Sequence, residues 1–327
     1  MSIDRIDMEK KRKNKEVSLV TGANGRFGRV LIKELIGKGH TVRALVLDKS
    51  MTVELPTGVI PYVGDITDRN VVNSACKGAD NVFHLAAIVS QHHQYAHEIV
   101  RVNAEGTHTI LDGCEKNGVS HFLFTSSVDV YGIKRKETLT EDSGLDPKDK
   151  YGYSKALAEE AILEHDAIPY TIFRMATVYG SGFENSFFKM FKALKKQKIF
   201  FIGKGTNHLA LVHIDDAIDA MMLAVKNDKS RKRIYNLTDG NHYTQEYLLN
   251  MAADMLRVPR PTSHVSEFMV KLIAKSRNLD SDELRFLMSD RRISIDRIRD
   301  EIGFEPKVSI EQGGKEMVSE FLRKEES

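Results

Sequence analysis

Through about residue 180, short apolar runs alternate with stretches whose apolar residues recur every three or four positions. The runs at 17–20, 42–47, 59–63, 82–85, 122–125 and 170–173 predict strands, and the stretches between them predict amphipathic helices. That order argues an α/β fold built on a right-handed, doubly wound parallel sheet. After Tyr179 the alternation weakens. Segment 183–205 carries a helix with Phe187, Met190, Phe191 and Leu194 on one side and Lys192, Lys195 and Lys196 elsewhere, then a short strand. This helix reads as part of a smaller lobe rather than a membrane anchor. Segments 215–225 and 234–237 return to the sheet, and a largely helical C-terminal remainder completes the lobe.

The first strand ends in Val20-Thr21-Gly22-Ala23-Asn24-Gly25-Arg26-Phe27-Gly28, and Val30, Leu31, Leu35 and Ile36 follow at helical spacing. Strand, three glycines and helix in that order form a dinucleotide fingerprint. Gly22 permits the tight turn, Gly25 lets backbone approach a pyrophosphate, and Gly28 lets helix and strand pack closely. Unpaired helix N–H groups face the anion. The cofactor site is therefore read as Gly22, Asn24, Gly25, Arg26, Phe27 and Gly28, on a Rossmann sheet. The division follows: a flexible basic tail (1–15), a Rossmann domain (16–180 and 206–238) and a substrate lobe (181–205 and 239–327).

Tyr151 and Lys155 stand four apart at the start of a helical run, so they share one face. A free phenol, with a pKa of about 10, is too weak a base at neutral pH. An adjacent ammonium and a nicotinamide cation both favour the phenolate, so Tyr151 can take an alcohol proton.

With these residues in place the chain resembles the extended short-chain dehydrogenases/reductases of the NAD-dependent epimerase/dehydratase type. Further matching stretches are Gly64-Asp65-Ile66-Thr67-Asp68, Val82-Phe83-His84-Leu85-Ala86-Ala87, Val102-Asn103-Ala104-Glu105-Gly106-Thr107 and Thr125-Ser126-Ser127. Val178-Tyr179-Gly180, Val212-His213-Ile214-Asp215-Asp216 and Ile302-Gly303-Phe304-Glu305-Pro306 follow in family order. The resemblance implies that Asp65 and Ile66 contact the adenine region and that Ala86 and Ala87 line the path of the pyrophosphate and nicotinamide ribose. It implies Ser127 as hydrogen-bond partner of the reacting oxygen beside Tyr151, and Asn103 as part of the supporting network. Strand-end capping is the alternative role for the serines. Asp215 and Asp216 read as a helix cap rather than a metal pair. The family also implies a homodimer through segments 104–117 and 151–165.

Composition narrows the partners. A chain of 327 residues with 41% hydrophobic content can bury one large core and a smaller one. A net charge of +2 points to no nucleic acid, and the run Lys10-Lys11-Arg12-Lys13-Asn14-Lys15 reads as a solvated tail. No apolar run approaches the ~20 residues of a membrane span, and two cysteines indicate no disulfide framework. A reducing cytoplasmic setting is expected. His93 and His97 share helical spacing, with His92 adjoining, yet no third ligand can be named, so no metal is expected.

Asp48 lies twenty residues beyond Gly28, where a carboxylate accepts ribose hydroxyls and repels a 2′-phosphate, which favours NAD. Arg26, Arg43 and Lys49 supply positive charge and keep NADP open. Nucleotide-sugar epimerases of this family typically place an arginine six residues before Asp215 and an asparagine three before Gly180, and here Leu209 and Thr177 stand in those places. Both departures weaken a diphosphate substrate, although Lys204 or His208 could compensate. Segment 203–209 is more similar to dihydroflavonol reductases and 3β-hydroxysteroid dehydrogenases. Dehydratases of the superfamily carry an acid and then a base after the Ser127 position; here Val128 replaces the acid and Asp129 keeps the base position. The leading expectation is hydride transfer between nicotinamide and a secondary alcohol or ketone of a small molecule. A nucleotide-sugar epimerase and a non-catalytic NAD(P)-sensing regulator are the alternatives, and retention of Tyr151 and Lys155 argues against the last.

Overall fold

The apolar runs fold as β1 (Val17–Thr21), β2 (Thr41–Val46), β3 (Ile60–Val63), β4 (Asn81–His84) and β5 (His121–Ser127), then, after a peripheral β6 (Lys134–Leu139), as β7 (Tyr170–Met175). Later strands are β8 (Thr177–Tyr179), β9 (Phe201–Ile202), β10 (His208–Leu209), β11 (Leu211–His213), β12 (Arg233–Leu237), β13 (Tyr243–Thr244), β14 (His264–Val265) and β15 (Asp290–Ile293). This computed structural model describes residues 15–89, 96–165, 167–270, 272 and 286–326. Most of the basic tail, His92 and His93, and the side chain of His97 lie outside the described residues. Seven strands form one parallel sheet in the order β12-β7-β5-β4-β1-β2-β3. The chain runs outward from β1 to β3 and then restarts at β4 beside β1, so a crevice opens at the carboxyl ends of β1 and β4.

Residues one apart on each strand face opposite layers. Leu19, Val82, Phe122 and Ile172 pack against helices α2 (Arg69–Cys76), α3 (Gly106–Asn117) and α4 (Lys150–Glu164), and α1 (Arg26–Gly37) lies on the other face. Val20, Phe83, Leu123 and Phe173 pack with Leu31 and Leu35 of α1. Helix α5 (Glu184–Lys195) follows β8, and α6 (Ile214–Lys226) adds Ala217 and Met221 to the α1 layer. The smaller lobe encloses Phe191, Leu209 and Leu248 between α5, α7 (Gln245–Leu256) and the chain's end.

The C-terminal stretch does not stay in that lobe. β15 pairs in parallel with β6, and Ile293 and Ile295 then join the main core together with Ile298 and Ile302 of α8 (Asp296–Ile302) and with Phe304. Only then does α9 (Ile310–Glu326) return to the lobe, where the Phe321 ring meets Phe188 and Phe191 edge-on. Nor do Asp215 and Asp216 cap α6. His213 caps it, its Nδ1 accepting from the Asp215 N–H at 3.3 Å, while the Asp216 carboxylate accepts from the Lys307 and Val308 N–H groups. The polar residue preceding a helix, rather than the acids in its first turn, supplies the side-chain acceptor here.

Candidate active site

Close approach at the carboxyl end of β1 requires glycine. A Cβ on Gly22, whose φ is +66°, would stand 2.8 Å from the Ala86 nitrogen, and one on Gly28 would stand 2.5 Å from the Gly22 carbonyl oxygen. Both distances are below any real contact, so the turn and the helix start leave no room for a side chain. Gly25 is the N-cap of α1 without a side-chain cap, and no acid occupies the helix's first turn. The N–H end of α1 therefore faces the crevice uncompensated, a donor set that fits a pyrophosphate. Asn24 is half-buried and Arg26 exposed, its guanidinium 5.9 Å from the centre of the Phe183 ring. Phe27 packs against the α1 layer.

Along the rim, Asp48 is exposed and caps a short 3-10 helix, accepting from the Ser50 N–H at 2.7 Å, and the Ser50 hydroxyl together with that N–H holds its carboxyl below the ordinary range. Asp65 is more enclosed. Burial pushes its carboxyl up, but bonds from the Thr67 N–H and hydroxyl and from Arg101 leave it below the ordinary range. Ile66 is buried against Gly106, where a Cβ would come within 2.5 Å of its side chain. Ala86 and Ala87 are half-buried on the segment leaving β4.

The side chains expected to carry chemistry come from β5 and α4. Asp149 caps α4 by accepting from the Gly152 N–H at 2.8 Å, which sets Tyr151 in the first turn and Lys155 one turn on. Lys155 is 2% exposed; its Nζ donates to the Thr125 carbonyl at 2.8 Å and stands 4.6 Å from the centre of the Phe124 ring and 5.9 Å from that of Tyr151. Burial lowers its pKa to about 7, and the Glu159 carboxylate opposes that shift. Glu159 continues the same helical face, buried in a two-pronged pair with Arg174 and accepting from the Ser126 hydroxyl. Ser127 ends β5, and its Oγ accepts from the Asp129 N–H at 3.1 Å. The cap uses an oxygen lone pair and leaves the hydroxyl proton for another acceptor. The capping role and the catalytic role are thus compatible. Asn103 lies in a π-helical segment (Arg101–Glu105) that runs into α3, and it bonds both backbone groups of Ile88 as well as the Ser154 hydroxyl.

The three residues expected near substrate separate. Asp129 is held by Arg291 of β15, whose NH1 reaches its Oδ1 at 2.8 Å and also bonds the Val128 and Gly132 carbonyls. Thr177 begins β8, with its N–H on the Ala210 carbonyl. His208 in β10 places Nδ1 2.9 Å from Asp290 Oδ1, which also accepts the His208 N–H. Leu209, its neighbour, is 1% exposed and faces an apolar cavity with Tyr179, Phe191, Leu248 and Met317. Among the described residues no cluster of three metal-binding side chains occurs. Sequence reasoning missed Arg291, which carries no local signal. It also missed Glu159, although its spacing from Tyr151 and Lys155 marks the shared face.

Residues 18–238 match the NAD dependent epimerase/dehydratase family. Among curated proteins, the N-acetyl-alpha-D-glucosaminyl-diphospho-ditrans,octacis-undecaprenol 4-epimerase of Escherichia coli O157:H7 is 29% identical over 252 residues, covering 76% of this chain and 74% of that protein. The decarboxylating sterol-4-alpha-carboxylate 3-dehydrogenase of Dictyostelium discoideum is 27% identical over 327 residues, covering 91% of this chain and 98% of that protein. The solved structure of MoeE5 in complex with UDP-glucose and NAD superposes with a TM-score of 0.76 at 25% identity, covering 95% of this chain and 100% of its own. The chain therefore belongs to the NAD-dependent epimerase/dehydratase family, among the extended short-chain dehydrogenases/reductases.

Proposed function

We propose that this protein is an NAD-dependent oxidoreductase that interconverts a secondary alcohol and a ketone on a small, moderately apolar molecule. The observation that carries the reading is Lys155, buried on the Tyr151 face of α4, in a chain whose Gly22 and Gly28 leave no room for a side chain at the start of α1. Gly22, Asn24, Gly25, Arg26, Phe27 and Gly28 would hold the pyrophosphate side of the cofactor, with Asp48 at the adenosine ribose, Asp65 and Ile66 at the adenine, and Ala86 and Ala87 towards the nicotinamide. When bound, NAD supplies the hydride acceptor or donor. Tyr151 exchanges the proton with the substrate oxygen. Ser127 donates its hydroxyl hydrogen to that oxygen, Lys155 orients the nicotinamide ribose and favours the phenolate, and Asn103 supports the segment behind them. The carboxylate of Asp48 favours NAD over NADP through repulsion of a 2′-phosphate.

Substrate class follows from what surrounds the site. Val128 is 3% exposed and Asp129 is paired with Arg291, an arrangement unsuited to the acid and base of a dehydration. Leu209 supports a substrate without a diphosphate, and the similarity to a sterol dehydrogenase supports an apolar one. Thr177 and His208 would border that substrate. The second reading is a nucleotide-sugar epimerase, favoured by the similarity to an undecaprenol-linked epimerase and to a structure holding UDP-glucose.

The main domain (16–180 and 206–238) would bind cofactor, and the lobe (181–205 and 239–327) would bind substrate, its stretch near β15 packing back on the main core. A homodimer through α3 and α4 is part of the proposal, supported by the exposed Tyr153 and Leu163 on α4. A cytoplasmic setting is proposed from the two free, buried cysteines, Cys76 and Cys114; no described helix is long and apolar enough to cross a membrane. The test is a hydride-transfer screen of secondary alcohols, ketones and nucleotide sugars with NAD and NADP, with mass analysis of any copurifying nucleotide. Turnover of an apolar alcohol or ketone is expected. Epimerisation of a nucleotide sugar with NAD retained through purification would favour the second reading instead.

A further inference from the structure

We propose that His84 is a positioning residue: a neutral imidazole, protonated on Nε2, that couples the glycine cradle to the network holding the first turn of α4. The inference rests on the cofactor reading above only in assigning NAD to that cradle. His84 ends β4, fully buried, with Nδ1 2.7 Å from Thr21 Oγ1 and Nε2 3.0 Å from Thr107 Oγ1. The hydroxyls fix the direction of each bond. Thr107 donates its own proton to the Asn103 carbonyl at 2.7 Å, so towards His84 it can only accept. Thr21 Oγ1 already accepts from the Leu85 and Ala86 N–H groups at 3.2 and 3.1 Å, and its proton points to Nδ1. The other tautomer would set the Nε2 lone pair against that of Thr107.

The chain of bonds continues at both ends. At Thr21 it fixes the Ala86 backbone, the wall against which Gly22 is packed. At Asn103 it passes to Ile88 and to Ser154, whose hydroxyl donates to the Tyr151 carbonyl at 2.7 Å. Cradle and catalytic helix are thereby joined through buried, directional bonds. Neutrality serves the same end. The His84 ring lies 5.6 Å from Phe124, against which the Lys155 ammonium also rests, and burial together with Lys155 lowers the His84 pKa to about 3. A second cation would weaken the site's hold on the first.

The test combines ring 15N NMR of His84 with NAD titration calorimetry of wild type, Thr107→Val and Thr107→Ser. The wild type should show the neutral, Nε2-protonated form between about pH 5 and 8, where a free imidazole titrates. Thr107→Val, which keeps the shape and loses the hydroxyl, should weaken NAD binding about tenfold, the effect of one buried hydrogen bond. Thr107→Ser should restore wild-type affinity. An Nδ1-protonated ring, a titrating ring, or a folded Thr107→Val that binds NAD as tightly as wild type would overturn the proposal. Failure of the wild type to bind NAD would sink the cofactor reading, while the tautomer, measured without nucleotide, still decides the relay.

Discussion

Arg291 reaches Asp129 across 162 positions of sequence, NH1 to Oδ1 at 2.8 Å, and so ties β15 to the loop that follows Ser127. We propose that a carboxylate engaged in this way, with a side chain only 15% exposed, serves as a structural counter-ion rather than a proton shuttle. Arg291→Met removes this buried partner and should cost about 3 kcal/mol in urea unfolding. Asp129→Asn, which keeps an acceptor for Arg291, should lower turnover by much less than the ~100-fold expected for loss of a proton carrier. A larger fall would return Asp129 to the chemistry.

The role proposed for Lys155 sets activity against stability. Its pKa is lowered by burial to about 7, so folding disfavours the ammonium, and the unfolded chain holds that proton up to the ordinary lysine range. Folded protein then binds fewer protons than unfolded protein between about pH 7 and 10, and stability from this group rises with pH across that window. Lys155→Met should be more stable than wild type at pH 7, inactive, and progressively less advantaged towards pH 10. Denaturant curves at several pH values check this; an advantage independent of pH would contradict it.

NAD should bind more tightly than NADP, and Asp48→Ala should narrow the gap by removing repulsion of the 2′-phosphate. Because Asp48 also caps the Ser50 N–H, the variant should lose some stability as well. Calorimetry with both nucleotides decides. A wild-type preference for NADP would assign control to Arg26 or Lys49.

UDP and dTDP should bind poorly, because Leu209 faces an apolar cavity and leaves a diphosphate without its charge partner. Leu209→Arg should destabilise the lobe, since it places a guanidinium where the native side chain is 1% exposed. Micromolar binding of UDP to wild type would instead show that Lys204 or His208 compensates.

What the chain reveals in advance follows from the range of the interactions. The fingerprint was legible because glycine geometry, strand and helix are all encoded within a dozen residues, and the strands because runs such as Val82 to Leu85 carry burial on both faces. Ser127, Tyr151 and Lys155 were singled out by spacing and family resemblance, and the fold sets Lys155 Nζ 5.9 Å from the centre of the Tyr151 ring. The pairing of β15 with β6 was not, since neither strand is strongly apolar and their contact spans over 150 positions. Arg291 reads as one basic residue among 48. The helix cap moved from Asp215 to His213 because a side chain's local acceptor depends on backbone angles that composition does not state.

The central claim is that Tyr151 carries the proton in a hydride transfer. The most direct measurement is turnover by Tyr151→Phe of whichever alcohol or ketone the screen identifies, beside NAD affinity by calorimetry. The account predicts a fall of at least ~100-fold in turnover with NAD affinity unchanged, since the ring and the glycine cradle remain. Wild-type turnover in that variant would contradict it.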